Sequence, residues 1–363
     1  VAVIGGGYDA SEDNQTYNAA DAVGNHVYMV DIISGALLWS AGSSGSTLNL
    51  GTLGRQMDHA IPGRVSVLDI DGDGYADRMY VGDMAGQLWR FDVNNGQPAA
   101  SLVTGGAIAS LGTKLDAAHL AADNRRFYNA ADVSAEQKAG VQPFLNIAIG
   151  SGYRGHPLDN STHDRFYAVR DYDTFSVKPQ SYFDGLTLTR DALSAAAASS
   201  KLIDITALAQ PTIPAGALGW QLDLNTHPDW TAGEKVLVPS RTFNDQVIFT
   251  TYTPNSSPPV DPCSGIGTGT NRVYVVSVFT GAPTIDRNKD GTLTTDERSQ
   301  DLRQGGIAPD TAFLFPAPSS GSGAGGAGAA GGSVTCLSGV EVLSVCSNFN
   351  QRRKTYWREG MAN

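Results

Sequence analysis

The sequence predicts an all-β chain, a modified β-propeller with quinoprotein-like blades and loop and short helical insertions. Three observations carry that expectation. Gly numbers 42 and Pro 17 among 363 residues, a supply of turn formers that helices would not tolerate, since Gly costs stability inside a helix and Pro breaks it. Runs rich in β-branched and aromatic residues alternate in character at every second position, the period of a half-buried strand. One arrangement also recurs: a strand-like run, an Asp, a Gly turn, then Leu-Trp or its equivalent, as expected of hairpins repeated from blade to blade.

The first copy is VYMVDIISGALLW, Val27–Trp39, and the second is MYVGDMAGQLWRFDVNNG, Met79–Gly96, which puts Trp89 and Phe91 on one face. RFYAVRDYDT after Asp164 and VYVVSVFTG, Val273–Gly281, are looser copies. Their aromatic residues are expected to fill the space between neighbouring sheets rather than to face a ligand. Three segments break the pattern. Ala117–Ala139 is polar and Ala-rich enough for a helical insertion, and DALSAAAASS, Asp191–Ser200, for a short helix. Ser319–Ser333 has almost no bulky side chain to bury and reads as a flexible surface loop, after which strand-like sequence resumes over Gly339–Cys346. Residues 1–363 read as one domain with these insertions.

A formal net charge of −11 argues against nucleic acid, whose phosphates require a basic stripe, and against anionic membranes. No apolar run approaches the ~20 residues of a membrane span, so membrane insertion is not expected. Hydrophobic residues make up 41% of the chain, enough for a full core. Cys263, Cys336 and Cys346 lack the spacing of a zinc site; they allow three single-bridge pairings, and a bridge is expected if the protein is exported. Val1 opens within strand-like sequence with no leader before it, so the chain is expected to be part of a longer precursor.

Two acidic loops carry the chemistry. DIDGDGYAD places Asp69, Asp71 and Asp73 at positions 1, 3 and 5 of a cation loop, Gly74 at the sharp turn, the Tyr75 carbonyl at position 7 and Asp77 at position 9. The bidentate Glu of a helix–loop–helix hand is missing, and the chain runs straight into strand-like RMYVGD, so this is a hairpin version of the loop. DRNKDGTLTTDE matches all twelve EF-hand positions: Asp286, Asn288, Asp290, Gly291, the Thr292 carbonyl, Thr294 at position 9 and Glu297 at position 12. A strand precedes it in place of the entering helix, and Ser299–Arg303 is expected to form a short exit turn. The plainer alternative is a pair of solvated Asp-Gly turns. It fares poorly because clustered carboxylates repel by about 4 kcal/mol per pair at 4 Å and an effective dielectric near 20. A calcium ion in one or both loops removes that repulsion.

Other motifs fail. VAVIGGGYDA, Val1–Ala10, imitates a dinucleotide fingerprint, but polar SEDNQTYN follows where a helix must start. His156, His163, Asp159 and Asp164 share no fixed metal spacing and read as loop residues. No nucleophile elbow, zinc helix or P-loop occurs, and no catalytic residues are assigned.

Taken in order, these segments resemble the C-terminal propeller of the PilY family of type IV pilus tip-associated proteins. DIDGDGYADRMYVGDMAGQLWRFDV, Asp69–Val93, is the most specific match. RRFYNAADVS, FLNIAIGSGYRG, DRFYAVRD, GWQLDL, VIFTTYTPNSSPPVDPCSG and RRKTYWRE follow in family order. The resemblance implies calcium ligands at Asp69, Asp71, Asp73, Tyr75 and Asp77, while the second loop rests mainly on its own pattern. It also implies an extracytoplasmic location at the pilus tip, outer surface or periplasm. Minor pilins or the pilus assembly machinery are the implied partners, with a host or surface receptor as a further candidate. The implied roles are pilus assembly, opposition to retraction and surface attachment, without enzymatic activity. No adhesion module of the von Willebrand kind is present, which leaves direct host adhesion without a carrier in this chain. A quinoprotein dehydrogenase would share the blade motif, but it often carries adjacent cysteines that are missing here. A calcium-dependent lectin-like module is the other alternative.

Overall fold

Each strand-like run pairs with its neighbour along the chain, so sheets form one after another. The computed structural model describes residues 1–14, 16, 19–115, 120–192, 200–224, 233–254, 269–315 and 335–343. The 319–333 loop, Cys263, Cys346, RRKTYWRE and most of DALSAAAASS lie outside the described residues. The first sheet holds β1 (Ala2–Gly5), β2 (Val27–Val30), β3 (Leu37–Gly42) and the short β4 (Leu48–Asn49). The second is a meander of β5 (Ser66–Leu68), β6 (Arg78–Gly82), β7 (Gln87–Val93) and β8 (Val103–Ser110). Among the described residues two short α-helices occur, α1 (Ala99–Leu102) and α2 (Gln180–Gly185), both outside the segments expected to be helical.

The third sheet begins with β9 (Asp132–Lys138), β10 (Val141–Gly150) and β11 (Arg165–Asp171). The chain then lends the two-residue β12 (Thr189–Arg190) to the edge of the second sheet, parallel to β8. It returns with β13 (Ile203–Asp204) and β14 (Gly219–Asp223) to give the order β13-β14-β11-β10-β9. The fourth sheet is β15 (Arg241–Phe243), β16 (Gln246–Thr253), β17 (Thr270–Ser277) and β18 (Ser299–Leu302). The fifth is β19 (Thr311–Leu314), β20 (Thr335–Ser338) and β21 (Glu341–Leu343).

Strand parity explains how the sheets stack. Side chains alternate between the two faces of a strand. Met79, Val81, Trp89 and Phe91 therefore pack against Val27, Met29 and Trp39 of the first sheet. Their neighbours Tyr80 and Leu88 face Leu145, Ile147, Ile149 and Tyr167 of the third. Phe144, Phe166 and Trp220 turn the other way, onto Val247, Phe249 and Tyr274 of the fourth, whose Ile248, Val273 and Val275 cover Cys336 and Leu343 of the fifth. Among the described residues five sheets follow in chain order, each packed face to face with the next, as blades of a propeller do. The blade tryptophans Trp39 and Trp89 are core residues, as expected, and so is Trp220.

The recurrent Asp is a turn device. Asp83 Oδ1 accepts from Ala85 N and Gln87 N, both at 2.9 Å, and Oδ2 accepts from Trp89 Nε1 at 2.8 Å. Full burial pushes the Asp83 carboxyl up while these donors oppose the shift. In the first copy Asp31 Oδ1 likewise accepts from Ile33 N and Ser34 N. The glycines of VAVIGGG serve close backbone approach: a Cβ at Gly6 would sit 2.4 Å from Gly24 O. A single turn of 3₁₀ helix, Ala10–Asp13, follows with Asp9 as its cap, so nothing there offers the helix of a dinucleotide site.

Two expectations need correction. The described part of the 117–139 segment, from residue 120 on, is not a helical insertion: there only Ala121–Asp123 forms a turn of 3₁₀ helix, and Asp132–Lys138 is a strand. Pairing with β10 decides it, with Val133 opposite Ile147 and Ala135 opposite Leu145; sheet formation overrides a weak helical propensity. Ser299–Leu302 is likewise strand β18, paired with β17, rather than an exit turn, and the turn of helix lies just before it at Thr295–Arg298. Cys336 is disulfide-bonded and its partner is outside the described residues, which leaves Cys263 and Cys346 as the two alternatives.

A buried polar cluster ties the first sheet to later ones. Glu12 is fully buried and pairs with Lys114 Nζ and, at 3.3 Å, Arg126 Nε. Nearby, Asp21 Oδ2 accepts from Ala60 N at 2.6 Å. Burial first, and then the Glu12 carboxylate, push the Asp21 carboxyl up to about 7. A folded value above the unfolded one means that, above pH 7, the ionised group opposes folding. Stability from this residue then rises as pH falls from about 7 towards 3.8, where the unfolded chain also protonates. Asp21→Asn is therefore expected to stabilise the chain at pH 8 and to lose that advantage by about pH 4. Urea unfolding of both proteins across this range checks it; a difference independent of pH contradicts it.

Candidate metal centre

The first acidic loop is held at its neck by the second sheet. Strands β5 and β6 pair Ser66 with Tyr80, Val67 with Met79 and Leu68 with Arg78, leaving Asp69–Asp77 as the excursion between them. Asp77 N donates to Leu68 O and Asp77 O accepts from Val93 N, each at 2.8 Å, so Asp77 is fixed to two strands. Gly72 and Gly74 adopt φ of +80° and +90°, the left-handed region that a β-carbon disfavours. The coil this permits wraps around Asp69, whose Oδ1 accepts from Gly72 N at 2.7 Å and whose Oδ2 accepts from Gly74 N at 2.8 Å. Asp77 Oδ2 accepts from Ile70 N at 2.6 Å.

The outcome is a grouping of Asp69, Asp71 and Asp77, with one carboxylate oxygen from each lying within 4.8 Å of the other two. Asp73 stands outside that grouping, and its Oδ1 accepts from Tyr75 N at 2.8 Å. The Tyr75 side chain points to solvent. Oxygens bound to one calcium at 2.3–2.6 Å must all lie within about 5 Å of one another, so the donor set fits that ion. Each carboxylate has about four lone-pair directions, and the backbone N–H donors leave some of them open. The nearest cation in sequence, Arg78, turns inward to Asp92 and away from the loop; among the described residues none of the four loop carboxylates has an ion-pair partner.

The second loop is closed by its own residues. Glu297 Oε1 accepts from Arg287 N at 2.7 Å and Oε2 from Thr294 N at 2.9 Å, completing a capping box with the 3₁₀ turn. The Thr294 N–H, foremost among several donors, holds its carboxyl below the usual range. Asp286 Oδ2 accepts from Gly291 N at 2.8 Å, whereas Oδ1 is buried with no hydrogen-bond partner. Asn288 Oδ1 accepts from Asp290 N at 3.0 Å and Asp290 Oδ1 from Thr292 N at 2.7 Å. Position 4, Lys289, takes φ +58°, an unusual conformation for a side-chain-bearing residue that coils the loop inward. The orphaned Asp286 oxygen suits a cation, while Glu297, spent on backbone donors, is turned towards the loop's own frame.

His156 and Asp159 line an open cleft with Tyr153, and His163 is half-exposed beside Asp123; the structure does not gather them with Asp164 into a metal cluster among the described residues. Sequence reading missed a buried ion-pair network directly behind the first loop. Asp92 accepts from Arg78 Nε and Arg90 Nε at 2.8 Å, and Arg90 reaches Asp171 of the third sheet at 2.9 Å. Tyr80 donates to the same Asp171 at 2.5 Å. The available signal was charge inside the otherwise apolar strands RMYVG and QLWRFDV. Because Asp77 and Arg78 are adjacent, the neck of the loop is also the start of the contact between the second and third sheets.

No protein-family model matches the chain, and no curated protein does. Among solved structures it is similar to the Pseudomonas aeruginosa PilY1 C-terminal domain, with TM-score 0.55 and 17% identity, covering 94% of this chain and 67% of that one. The chain has the fold of that domain over nearly its whole length.

Proposed function

We propose that this chain is a calcium-binding domain of a PilY-like protein, acting outside the cytoplasm in type IV pilus biogenesis. The observation that carries the reading is the convergence of Asp69, Asp71 and Asp77 in a loop pinned to two strands. The shared fold with the PilY1 C-terminal domain supports the pilus setting. Calcium at this loop, and a second ion at Asp286–Glu297, cancels carboxylate repulsion and rigidifies the hairpin. Through Asp77 and Arg78 the filled loop stabilises the contact between the second and third sheets, so occupancy biases the surface that a minor pilin or the assembly machinery reads. That coupling supports pilus assembly, opposes retraction and contributes to attachment.

Binding to the folded state alone stabilises it by RT ln(1 + [L]/Kd), about 1.4 kcal/mol at tenfold excess over Kd. The expected Kd is extracellular in type, about 10⁻⁴ to 10⁻³ M or tighter. Chelation is expected to speed amide exchange across Leu68–Asp83 before it affects the fourth and fifth sheets; uniform or unchanged exchange contradicts the reading. In cells, Asp77→Ala at normal protein levels should alter surface piliation and twitching, and wild-type behaviour with and without chelator would remove the regulatory role.

A further inference from the structure

Between the third and fourth sheets lies a cleft of about 470 Å³, none of whose lining residues belongs to either acidic loop. Its floor is Arg170, on β11 and only 7% exposed. The guanidinium donates to Phe279 O and, at 3.2 Å, to Tyr172 Oη, and stands 4.5 Å from the centroid of the Phe144 ring. Its Nε is buried with no hydrogen-bond partner, and no carboxylate pairs with it among the described residues. Lys138, at the end of β9, brings a second cation, 5.1 Å from the Phe279 centroid and with no ion pair among the described residues. Among the described residues no Asp or Glu lines the cleft. In a chain where acids outnumber bases 36 to 25, a described lining with two cations and no acid runs against the overall balance.

A buried guanidinium without a counter-charge is costly, and an oxyanion delivered to it cancels that cost. The planar fork of N–H donors matches a carboxylate. The remaining walls narrow the ligand further: Val141, Ile213 and Phe279 are apolar, and Thr212 and Thr280, which carry hydroxyls, also line the cleft. A bare phosphate would leave the apolar walls unused, and a fatty acid would leave the hydroxyls unused. The volume falls in the range of small-ligand sites and suits one or two residues. We propose that this cleft captures the free C-terminal carboxylate of a peptide whose last residue is apolar, with Arg170 and Lys138 holding the carboxylate.

The inference is independent of the calcium loops and is tested without them, in chelator, on the whole chain. Saturation-transfer NMR with N-acetyl-leucine should show contact from its side chain, while N-acetyl-leucinamide, identical but uncharged, should show at least tenfold weaker binding. Lys138→Glu, a change at an exposed position, should weaken N-acetyl-leucine at least tenfold with an unchanged melting temperature. Arg170→Lys, if it folds, should do the same. Equal binding of acid and amide, or an indifferent Lys138→Glu protein, would overturn the assignment. Inorganic phosphate competing as well as N-acetyl-leucine would reduce the cleft to an anion hole and also overturn it. No saturation transfer at all would leave Arg170 as a clamp between the two sheets.

Discussion

Asp69→Asn is expected to weaken calcium binding at the first loop by about 100-fold or more, since ligand charge tunes the affinity of such loops over several decades. Two effects act together. The substitution removes one of three converging negative charges. It also disturbs the coil itself, because both Asp69 oxygens accept backbone N–H groups, from Gly72 and Asp73 on one side and Gly74 on the other. An Asn amide keeps one acceptor and turns an N–H₂ group towards a donor. Asp73→Asn is expected to cost less, about tenfold, because Asp73 lies outside the grouping and organises only Tyr75 N. Calorimetric titration of the two variants checks the ranking; a larger loss at Asp73 would mean that the ion sits further along the loop.

Asp92→Ala should be among the most destabilising changes in the second sheet, by about 3–5 kcal/mol, the range for breaking a buried ion pair by removing one partner. Asp92 is fully buried and accepts from Arg78 Nε, Arg90 Nε, Arg90 Nη2 and Lys178 N, all between 2.7 and 2.9 Å. Without it the two buried guanidinium groups keep Asp171, the more distant Asp173 at 3.9 Å from Arg90, and carbonyl oxygens. Asp301→Ala breaks a pair with Arg272 whose carboxylate is 76% exposed, and such pairs contribute about 1 kcal/mol or less. Urea unfolding of both variants separates the cases. Similar small losses would show that the network rearranges, and with it the path from Asp77 into the contact between sheets.

What was legible in the sequence was local. The 69–77 loop declares itself because carboxylate spacing, turn glycines and the following strand all lie within a few residues, and the blade tryptophans because period-2 alternation marks the buried face. What was not legible depends on partners far away in sequence. Residues 132–138 are a strand because β10 lies alongside, and their Ala and Glu content gave a helical signal that pairing overrode. Arg90 meets Asp171 across 81 positions, and Arg170 and Lys138 meet at a cleft that no motif announces. The second loop sits between these cases: its twelve positions match, yet Glu297 is engaged with backbone donors.

The most direct measurement is a crystal of the chain grown with calcium and examined for anomalous scattering at long wavelength. The expected result is a peak inside the 69–77 loop, about 2.3–2.6 Å from carboxylate oxygens of Asp69, Asp71 and Asp77, that disappears in the Asp69→Asn protein. A loop without a peak at saturating calcium, with its carboxylates turned to solvent, would contradict the calcium-binding reading.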